Sequence, residues 1–460
     1  MKLRIAGLSM LERGIRTMAR AGIHSITIIH PAGSSWKLGA VTRKLDLDLR
    51  FVCWGSEETD GNALDDTGYQ LLLAGEYVHH HSSLSELMEA EFGPCELIVH
   101  AGRPPQENGA LLGVDEDQSA VSFVEDGQLS DLANTGAFLC APGVLAPLEL
   151  INSGNNLGSI VRAEVERRRT DIRRTALDLW RRVSADRPSQ RDAKNMLFSQ
   201  VTKTTSGFVS RNINARISIP TSKLLVETGL SPHLVTVLFV LTTGLSAAYL
   251  VTMAHEYKML LLAGILWQFA AIFDRCDGEI ARIRLCESKF GAWFDTITDN
   301  IAYIAAYAGF MIGTQRLYPG NHLYIGLGIS AVIALLIYLA LAYRYAMKTG
   351  SGSLQHYLRD SIHNVPNEEK IFIYKIMERY GFIAKRDFFS FFFLIAAAAN
   401  MIQTIYWFLI VGLHILVIAI LVSQRKVHEA YQRNCREQER ETAATLEMLP
   451  ITEGSAEKAR

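Results

Sequence analysis

The sequence lacks the cysteine pattern of a disulfide-rich or zinc-binding protein. Its 460 residues include six cysteines, which lie far apart and form no CxxC pair. They are Cys53, Cys95, Cys140, Cys276, Cys286 and Cys435. A disulfide framework and a structural zinc site both need regularly spaced cysteines, so the sequence predicts neither.

An excess of charge of one sign is also missing. Lys and Arg together number 46 and Asp and Glu 47, which gives a net charge of −1. Binding to nucleic acid usually needs a basic excess, and we therefore expect no nucleic-acid partner. The first residues, MKLRIAGLSMLERGIR, carry scattered charges and no apolar core. We expect no cleavable signal peptide there.

Long apolar runs are present, but they are confined to the second half of the chain. Mean hydropathy over the whole chain is +0.13, which is high for a soluble enzyme. The run LVTVLFVLTTGLSAAYLVTM has no charge and is long enough to cross a bilayer. Six spans are predicted, at Leu234–Met253, Met259–Phe273, Ala292–Thr314, Leu323–Ala342, Phe388–Met401 and Thr404–Val422.

Lys and Arg residues collect on one side of these spans. They precede the first span, separate the second from the third and the fourth from the fifth, and follow the sixth. By the positive-inside rule, both termini and the loop between spans two and three face the cytosol. We expect a multi-pass protein of the plasma (inner) membrane. Ser210–Gly229, ahead of the first span, is either an amphipathic helix on the membrane surface or an ordinary linker helix.

Residues 1–190 have the mixed composition of an α/β domain. Apolar residues recur at helical spacing in Met10–Ile23. Short strands are predicted at Ser25–His30, Cys95–Gly102 and Gly136–Pro142. The alternation of helices with apolar strands predicts a sandwich with a largely parallel sheet. The charged segment Val161–Lys194 is predicted to be a helical connector.

Four aspartates interrupt the apolar sequence around spans two and three. Asp274 and Asp277 are three residues apart and Asp295 and Asp299 four apart, so each pair shares one face of a helix. Each would cost roughly 2.5–3.5 kcal/mol if left unpaired at the bilayer centre. Protonation or a bound cation removes that cost. Four carboxylates without His or Cys favour Mg²⁺, Mn²⁺ or Ca²⁺ over zinc.

Clustered carboxylates with divalent cations are typical of phosphoryl-type transfer. A carboxylate can take the proton of the attacking hydroxyl, and Arg282 is a natural phosphate contact. Two other classes remain open, an ion or metal transporter and a non-catalytic scaffold built on the N-terminal domain. A transporter more often spreads its acids over several helices, and an idle site would be expected to lose such costly charges. Helix caps in a solvated loop would explain only the first two aspartates.

The spacing of this segment, D-x2-D-G-x2-A-R-x8-G-x3-D-x3-D, resembles the signature of the CDP-alcohol phosphatidyltransferases at every position. Members of that family move a phosphoalcohol from a CDP-linked donor to an acceptor hydroxyl and release CMP. The resemblance implies two Mg²⁺ or Mn²⁺ ions held by Asp274, Asp277, Asp295 and Asp299, with Asp299 also acting as the catalytic base. It implies a CDP site formed by Asp277, Gly278, Ala281, Arg282 and Gly291. It also implies a homodimer.

Within that family, the segment SGFVSRNINARISIPTSKLL and the order of domains resemble the bifunctional inositol-phosphate cytidylyltransferase and di-inositol-phosphate-phosphate synthases. The fold implied is an N-terminal α/β nucleotidyltransferase-like (Rossmann-like) domain followed by an all-α membrane domain. That second domain would have six transmembrane helices preceded by an amphipathic interfacial helix. The expected boundaries are 1–190 for the first domain, 191–230 for the linker and juxtamembrane helix, 231–427 for the membrane domain and 428–460 for a charged tail.

The N-terminal sequence departs from active nucleotidyltransferase domains in three places. No glycine-rich phosphate-binding loop precedes GLSMLERGIR, Gly102 follows the central strand where an acid is expected, and Asn134 replaces a second acid. We therefore expect a degenerate, inactive nucleotidyltransferase-like domain. The alternative is a bifunctional enzyme that also makes its CDP donor by cytidylyl transfer.

Two further groups of side chains are candidates. Arg344, Lys385 and Arg386, at the expected cytosolic ends of spans four and five, either bind an anionic acceptor such as an inositol phosphate or only set the topology. The run His79–His81 has no Cys or acid at ligand spacing. We expect it to form a loop or a helix cap rather than a metal site.

Overall fold

The computed structural model describes residues 3–30, 38–53, 68–91, 95–103, 111–114, 121–123, 132–142, 144, 163–165, 167, 170–202, 207–349, 372, 375 and 386–448. The chain divides into two compact units. The first contains Met1–Lys203, Ser222–Leu230 and Glu279–Cys286, and the second contains Thr204–Thr221, Ser231–Gly278 and Glu287–Arg460. Two short segments beyond Thr221 thus belong to the N-terminal unit.

The first unit contains twelve described strands and four described helices. The strands are β1 (Arg4–Ile5), β2 (Leu8–Ser9), β3 (Ser25–His30), β4 (Asp48–Cys53), β5 (Gln70–Leu73), β6 (Tyr77–His79), β7 (Leu97–Gly102), β8 (Leu111–Val114), β9 (Val121–Phe123), β10 (Leu132–Cys140), β11 (Thr170–Arg174) and β12 (Trp180–Arg182). The helices are α1 (Met10–Arg20), α2 (Ala40–Arg43), α3 (His81–Met88) and α4 (Arg187–Ser199). The three predicted strands correspond to β3, β7 and β10.

Strands β7 and β10 form the centre of the main sheet, and every residue of β7 is buried. One face of β7 places Leu97 and Val99 in a cluster with Phe138 of β10. On the opposite face, Ile98 packs with Leu84 of helix α3. The alternation of side chains across the strand thus builds a layer on each side of the sheet.

The pairing of the strands corrects the predicted sheet direction. The main sheet has the order β11-β7-β10-β8-β9, with β5 also paired to β10. Within it, only β11 and β7 run parallel among the described pairs, while β10 pairs antiparallel with β5, β7 and β8. A separate pair, β3 and β4, is parallel. The prediction of a largely parallel sheet was wrong, because strand direction depends on distant pairing rather than on local apolar runs.

The predicted helical connector Val161–Lys194 was also wrong over part of its length. It contains strands β11 and β12 before helix α4 begins at Arg187. Strand β11 has the charged sequence TDIRR and occupies the edge of the main sheet. Edge strands often carry charge because one side has no neighbouring strand.

The second unit is helical throughout its described part. A π-helical turn at Ser210–Asn214 leads into helix α5 (Ala215–Leu225), whose last residues belong to the first unit. The remaining helices are α6 (Pro232–Val251), α7 (Tyr257–Ile283), α8 (Lys289–Leu317), α9 (Leu323–Thr349), α10 (Arg386–Ala398) and α11 (Ile402–Met448). Helix α6 contains a π-helical stretch at Thr236–Leu241.

Four of these helices are long and apolar enough to cross a membrane. They are Pro232–Val251, Tyr257–Ile283, Leu323–Thr349 and the segment Ile402–Arg433 of helix α11. They overlap the first, second, fourth and sixth predicted spans. The third predicted span lies in helix α8, which carries two of the aspartates, and the fifth lies in helix α10, which has only 13 residues. The second unit is thus an integral membrane domain with four such helices among its described residues.

Small residues bring helices α6 and α8 close together. A Cβ added to Gly309 would collide with the carbonyl of Ala248, and one added to Gly313 would collide with that of Val251. Close backbone approach at small residues is a common way for membrane helices to pack. This packing fixes the position of helix α8 beside helix α6.

Candidate active site

The two helices that carry the aspartates belong to one helical hairpin. Helix α8 begins after Ser288, whose Oγ accepts a hydrogen bond from the backbone N–H of Gly291 at 2.9 Å. The turn before it includes Leu285 in the left-handed region, with φ +49°. A cap of this kind satisfies one of the free N–H groups at the start of a helix. The first turn of helix α8, ahead of Asp295, is therefore fixed by its own sequence.

Three of the predicted aspartates converge in the second unit. Carboxylate oxygens of Asp274, Asp277 and Asp295 all lie within 4.8 Å of one another. Asp277 is buried, and the other two are half-buried. Two of these residues come from helix α7 and one from helix α8, as the spacing predicts.

Thr236 orients one of these carboxylates. Its Oγ1 donates a hydrogen bond to Oδ2 of Asp277 at 2.5 Å and lies 3.1 Å from the carbonyl of Pro232. Thr236 is buried and begins the π-helical stretch of helix α6. Such stretches are frequent at functional sites. The sequence does not indicate this role for Thr236, because nothing near position 236 predicts that it contacts residue 277.

Arg386 joins the aspartates of the two helices. Its Nη1 lies 2.8 Å from Oδ1 of Asp274 and also contacts Oδ1 of Asp299. The guanidinium lies 5.8 Å from the ring centroid of Tyr303. The sequence marked Arg386 as an acceptor-binding candidate. The structure places it among the aspartates, where it compensates part of their charge.

The donor set fits a divalent cation. Oδ1 of Asp295 is buried and has no hydrogen-bond partner among the described residues. The cluster sets four carboxyl groups against one guanidinium. Hard oxygen ligands without sulfur or imidazole are the set that Mg²⁺ and Mn²⁺ prefer. Asp274, Asp277 and Asp295 are the residues that would hold such an ion.

The other signature residues follow along the same hairpin. Gly278 comes directly after Asp277, and Ala281 and Arg282 lie in the last turn of helix α7, in the first unit. Within that unit, Nε of Arg282 donates to the carbonyl of Val201 at 3.0 Å. A Cβ on Gly291 would lie 3.2 Å from Cε1 of His233, so a larger residue would crowd helix α6.

The remaining acceptor candidates are not brought to the aspartates in the described part of the chain. Arg344 is exposed near the end of helix α9, and among the described residues no ion pair or hydrogen bond joins it to an aspartate. Lys385 lies outside the described residues. Their predicted roles stay predictions.

The first unit shows what surrounds the positions where nucleotidyltransferase acids were expected. A Cβ on Gly102 would lie 2.6 Å from Nε1 of Trp180, so this indole fills the space that a carboxylate would need. Oδ1 of Asn134 accepts a hydrogen bond from the N–H of Gly136 at 2.8 Å. Both positions therefore serve local packing.

The histidine run includes a helix cap, as expected: His79 ends strand β6, His80 is the N-cap and His81 begins helix α3. Nδ1 of His80 accepts a hydrogen bond from the N–H of Ser82 and caps helix α3. His79 is buried beside His100, with 6.5 Å between ring centroids. Burial lowers the pKa of His79 to about 3 and that of His100 to about 4, since a charged imidazole is disfavoured away from water.

Parts of the chain are similar to known proteins. Residues 230–423 match the family model described as CDP-alcohol phosphatidyltransferase. A bifunctional IPC transferase and DIPP synthase from Thermococcus kodakarensis is 28% identical over 311 residues, which are 65% of this chain and 68% of the relative. That alignment is longer than the family match, so it includes residues outside it.

Two other similarities cover shorter parts of the chain. A phosphatidylinositol phosphate synthase from Mycobacterium bovis is 36% identical over 104 residues, 23% of this chain and 46% of the relative. The solved inositol-1-phosphate CTP transferase from T. maritima aligns with 42% of this chain and 85% of its own, at 13% identity and a TM-score of 0.34. So low a TM-score carries no argument about the fold.

The expectation drawn from the aspartate spacing is confirmed by the family match and by the named relatives. The signature from Asp274 to Asp299 lies wholly inside the matched residues. Residues 230–423 form a domain of the CDP-alcohol phosphatidyltransferase type, and the chain is a transferase.

Proposed function

We propose that this protein moves a phosphoalcohol from a CDP-linked donor to an acceptor hydroxyl and releases CMP, in phospholipid or inositol-phosphodiester synthesis. The observation that carries this proposal is the convergence of Asp274, Asp277 and Asp295, with carboxylate oxygens within 4.8 Å of one another. A site of this composition suits the transfer of a phosphorus centre between two oxygens.

The balance of the reaction assigns roles to the residues. The acceptor oxygen forms a bond to the phosphorus that carries the alcohol, and the bond from that phosphorus to the bridging oxygen of the CDP group breaks. CMP leaves with that oxygen. Asp299 accepts the proton of the acceptor hydroxyl, and Arg386 holds its carboxylate in place. Two divalent ions, Mg²⁺ or Mn²⁺, would neutralise the phosphate oxygens and the leaving group.

A positively charged side chain near the aspartates supports a proposal for the acceptor class. Arg386 is the positively charged side chain in contact with Asp274 and Asp299, and it suits a phosphate-bearing acceptor. The relatives named above include a DIPP synthase and a phosphatidylinositol phosphate synthase. We propose an inositol phosphate as acceptor, with Arg344 and Lys385 as further contacts.

The arrangement in the membrane is part of the same proposal. We propose six spans, a membrane-surface helix at Ser210–Gly229 and a homodimer in the plasma membrane. The distribution of Lys and Arg supports a cytosolic active site. The N-terminal unit is proposed to be a nucleotidyltransferase-like domain without activity. The indole of Trp180 beside Gly102 supports this, because it leaves no room for a metal-binding acid.

The test is CMP release by the purified protein in detergent. CDP-diacylglycerol and CDP-inositol would be offered with inositol phosphate and with other alcohols, in Mg²⁺, in Mn²⁺ and in EDTA. We expect release that needs a divalent ion and falls by about 10²–10⁴-fold in Asp299→Asn, the range that a lost general base accounts for. Glu256→Gln, an acid-to-amide change at an exposed position, is the matched control.

Two results would contradict the proposal. One is equal CMP release by the wild type and Asp299→Asn. The other is no release with any donor together with cation uptake into proteoliposomes, which would favour the transporter. Formation of CDP-inositol from CTP and inositol phosphate would instead show that the N-terminal unit is active.

A further inference from the structure

The end of helix α7 is held by the N-terminal segment of the chain, within the first unit. Nη1 of Arg13 donates to the carbonyl of Ile283 at 3.1 Å, and Nη1 of Arg16 donates to that of Arg284 at 2.7 Å. The last carbonyls of a helix have no partner inside the helix, and positive charge there complements its dipole. Two arginines of helix α1 therefore cap helix α7.

Both arginine side chains are buried and held by further hydrogen bonds. Arg13 is 2% exposed and also donates from Nη2 to the carbonyl of Ile5 at 2.8 Å. Arg16 is 5% exposed and donates from Nε to Oγ1 of Thr42 at 2.9 Å. Burial of a guanidinium is costly unless most of its donors are used, and of the donors of these two side chains only Nε of Arg13 is buried without a partner among the described residues. The bonds of the other donors hold helix α1 against the helix end.

Arg284, which directly follows helix α7, makes further hydrogen bonds within the first unit. Its guanidinium donates to the carbonyls of Leu230 and Val226, at 2.5 Å each. Gly7, in the turn between β1 and β2, has φ +78° and lies so close that a Cβ would collide with the carbonyl of Val226. Only glycine combines this backbone conformation with this approach. The N-terminal turn is thus shaped for the contact.

The turn held in this way contains Ala281 and Arg282, the residues expected to line the CDP site. We propose that helix α1 is a positioning element, in which Arg13 and Arg16 hold Ala281 and Arg282 in place for the CDP group. This inference rests on the proposed function. This positioning role does not depend on nucleotidyl transfer. The N-terminal unit would therefore contribute to CDP binding even if it has no nucleotidyltransferase activity.

The test combines two measurements on the double variant Arg13→Met/Arg16→Met in the full-length protein. The first is hydrogen exchange of the amides in Glu279–Cys286, which we expect to become roughly tenfold faster because the helix end loses its caps. The second is the equilibrium affinity for CDP with Mg²⁺, expected to fall about tenfold, with a similar rise in KM for the donor and little change in kcat.

Three further variants serve as controls for these two measurements. Arg20→Met removes an exposed arginine of the same helix and should leave exchange and affinity unchanged. Arg16→Lys, which keeps one charged donor, should recover part of the CDP affinity. Arg16→Met alone serves if the double variant does not fold, since Arg13 keeps its bond to Ile283.

The result that would overturn the inference is wild-type exchange and CDP affinity in the double variant. Faster exchange with unchanged CDP affinity would also overturn it, because the arginines would then only stabilise the helix end. If the wild type binds CDP but releases no CMP, the proposed function fails, while the affinity comparison still decides the positioning role.

Discussion

Arg386 and Asp274 form an ion pair with 2.8 Å between Nη1 and Oδ1, and the same guanidinium contacts Asp299. The two aspartates belong to different helices, so the guanidinium of Arg386 links the two helices of the hairpin. Without it, two half-buried carboxylates would repel each other across a region of low dielectric constant.

Replacement of Arg386 by Met should therefore lower kcat/KM about 100-fold, because Asp274 and Asp299 lose the guanidinium that positions them. The kcat/KM of Arg386→Lys should lie between those of wild type and Arg386→Met, since lysine keeps the charge but lacks the planar guanidinium. Arg425→Met, at an exposed arginine of the same unit, is the control. Steady-state kinetics of CMP release measure the effect, and an Arg386→Met enzyme within twofold of wild type would contradict it.

Thr236 should matter through its hydroxyl alone. Thr236→Val removes the bond to Asp277, and we expect activity to fall about tenfold and the Mg²⁺ concentration for half-maximal activity to rise by a similar factor. Thr236→Ser keeps the hydroxyl, so its activity and its half-maximal Mg²⁺ concentration should stay close to those of the wild type. Thr242→Val changes an exposed threonine of the same helix whose hydroxyl bonds only to a backbone carbonyl, so it should have no effect. A Mg²⁺ titration that is identical in Thr236→Val and wild type would refute this role.

The packing of helices α6 and α8 depends on Gly313. Gly313→Ala should destabilise the membrane domain by about 1–3 kcal/mol, since the methyl group collides with the carbonyl of Val251 and the helices must separate. Gly412→Ala is the matched control, because nothing lies within 4 Å of its added Cβ. Thermal unfolding in detergent compares the two. Equal unfolding midpoints for Gly313→Ala and Gly412→Ala would show that helices α6 and α8 leave room for a methyl group at position 313.

The N-terminal unit should lose stability in acid because of His79 and His100. Both are held neutral, with pKa values near 3 and 4 against an ordinary value of 6.5. As pH falls below 6.5, the unfolded chain takes up protons that the folded unit does not, so stability declines by up to about 1.4 kcal/mol per pH unit for each group. The loss continues until pH reaches the folded pKa.

Hydrogen exchange of strands β6 and β7 between pH 8 and pH 5, corrected for the intrinsic rate, measures this decline. His79→Phe should remove about half of the pH dependence, whereas His24→Gln, at an exposed site, should leave it unchanged. A corrected stability that is flat from pH 8 to pH 5 in the wild type would show that neither imidazole is held neutral.

The aspartate cluster could be predicted because its members lie on two neighbouring helices, where spacing alone decides which side chains share a face. Thr236 and Arg386 could not be placed in the same way, since their contacts join residues 41 and 87 positions apart, as in Thr236–Asp277 and Asp299–Arg386. Strand β11 was predicted as helix for a related reason. Its charges are typical of an exposed helix and also of a sheet edge, and only the pairing with β7 decides between them.

The indole of Trp180 beside Gly102 also bears on how this chain can change over time. An acid at position 102 cannot be accommodated while Trp180 lies against it, with Nε1 only 2.6 Å from the added Cβ. Trp180 is itself fully buried and packs with Tyr77, so its replacement by a smaller residue leaves a cavity before any benefit appears. An acidic residue at position 102 is therefore accommodated only together with a smaller residue at position 180, so a single substitution of Gly102 does not introduce a carboxylate without displacing the indole.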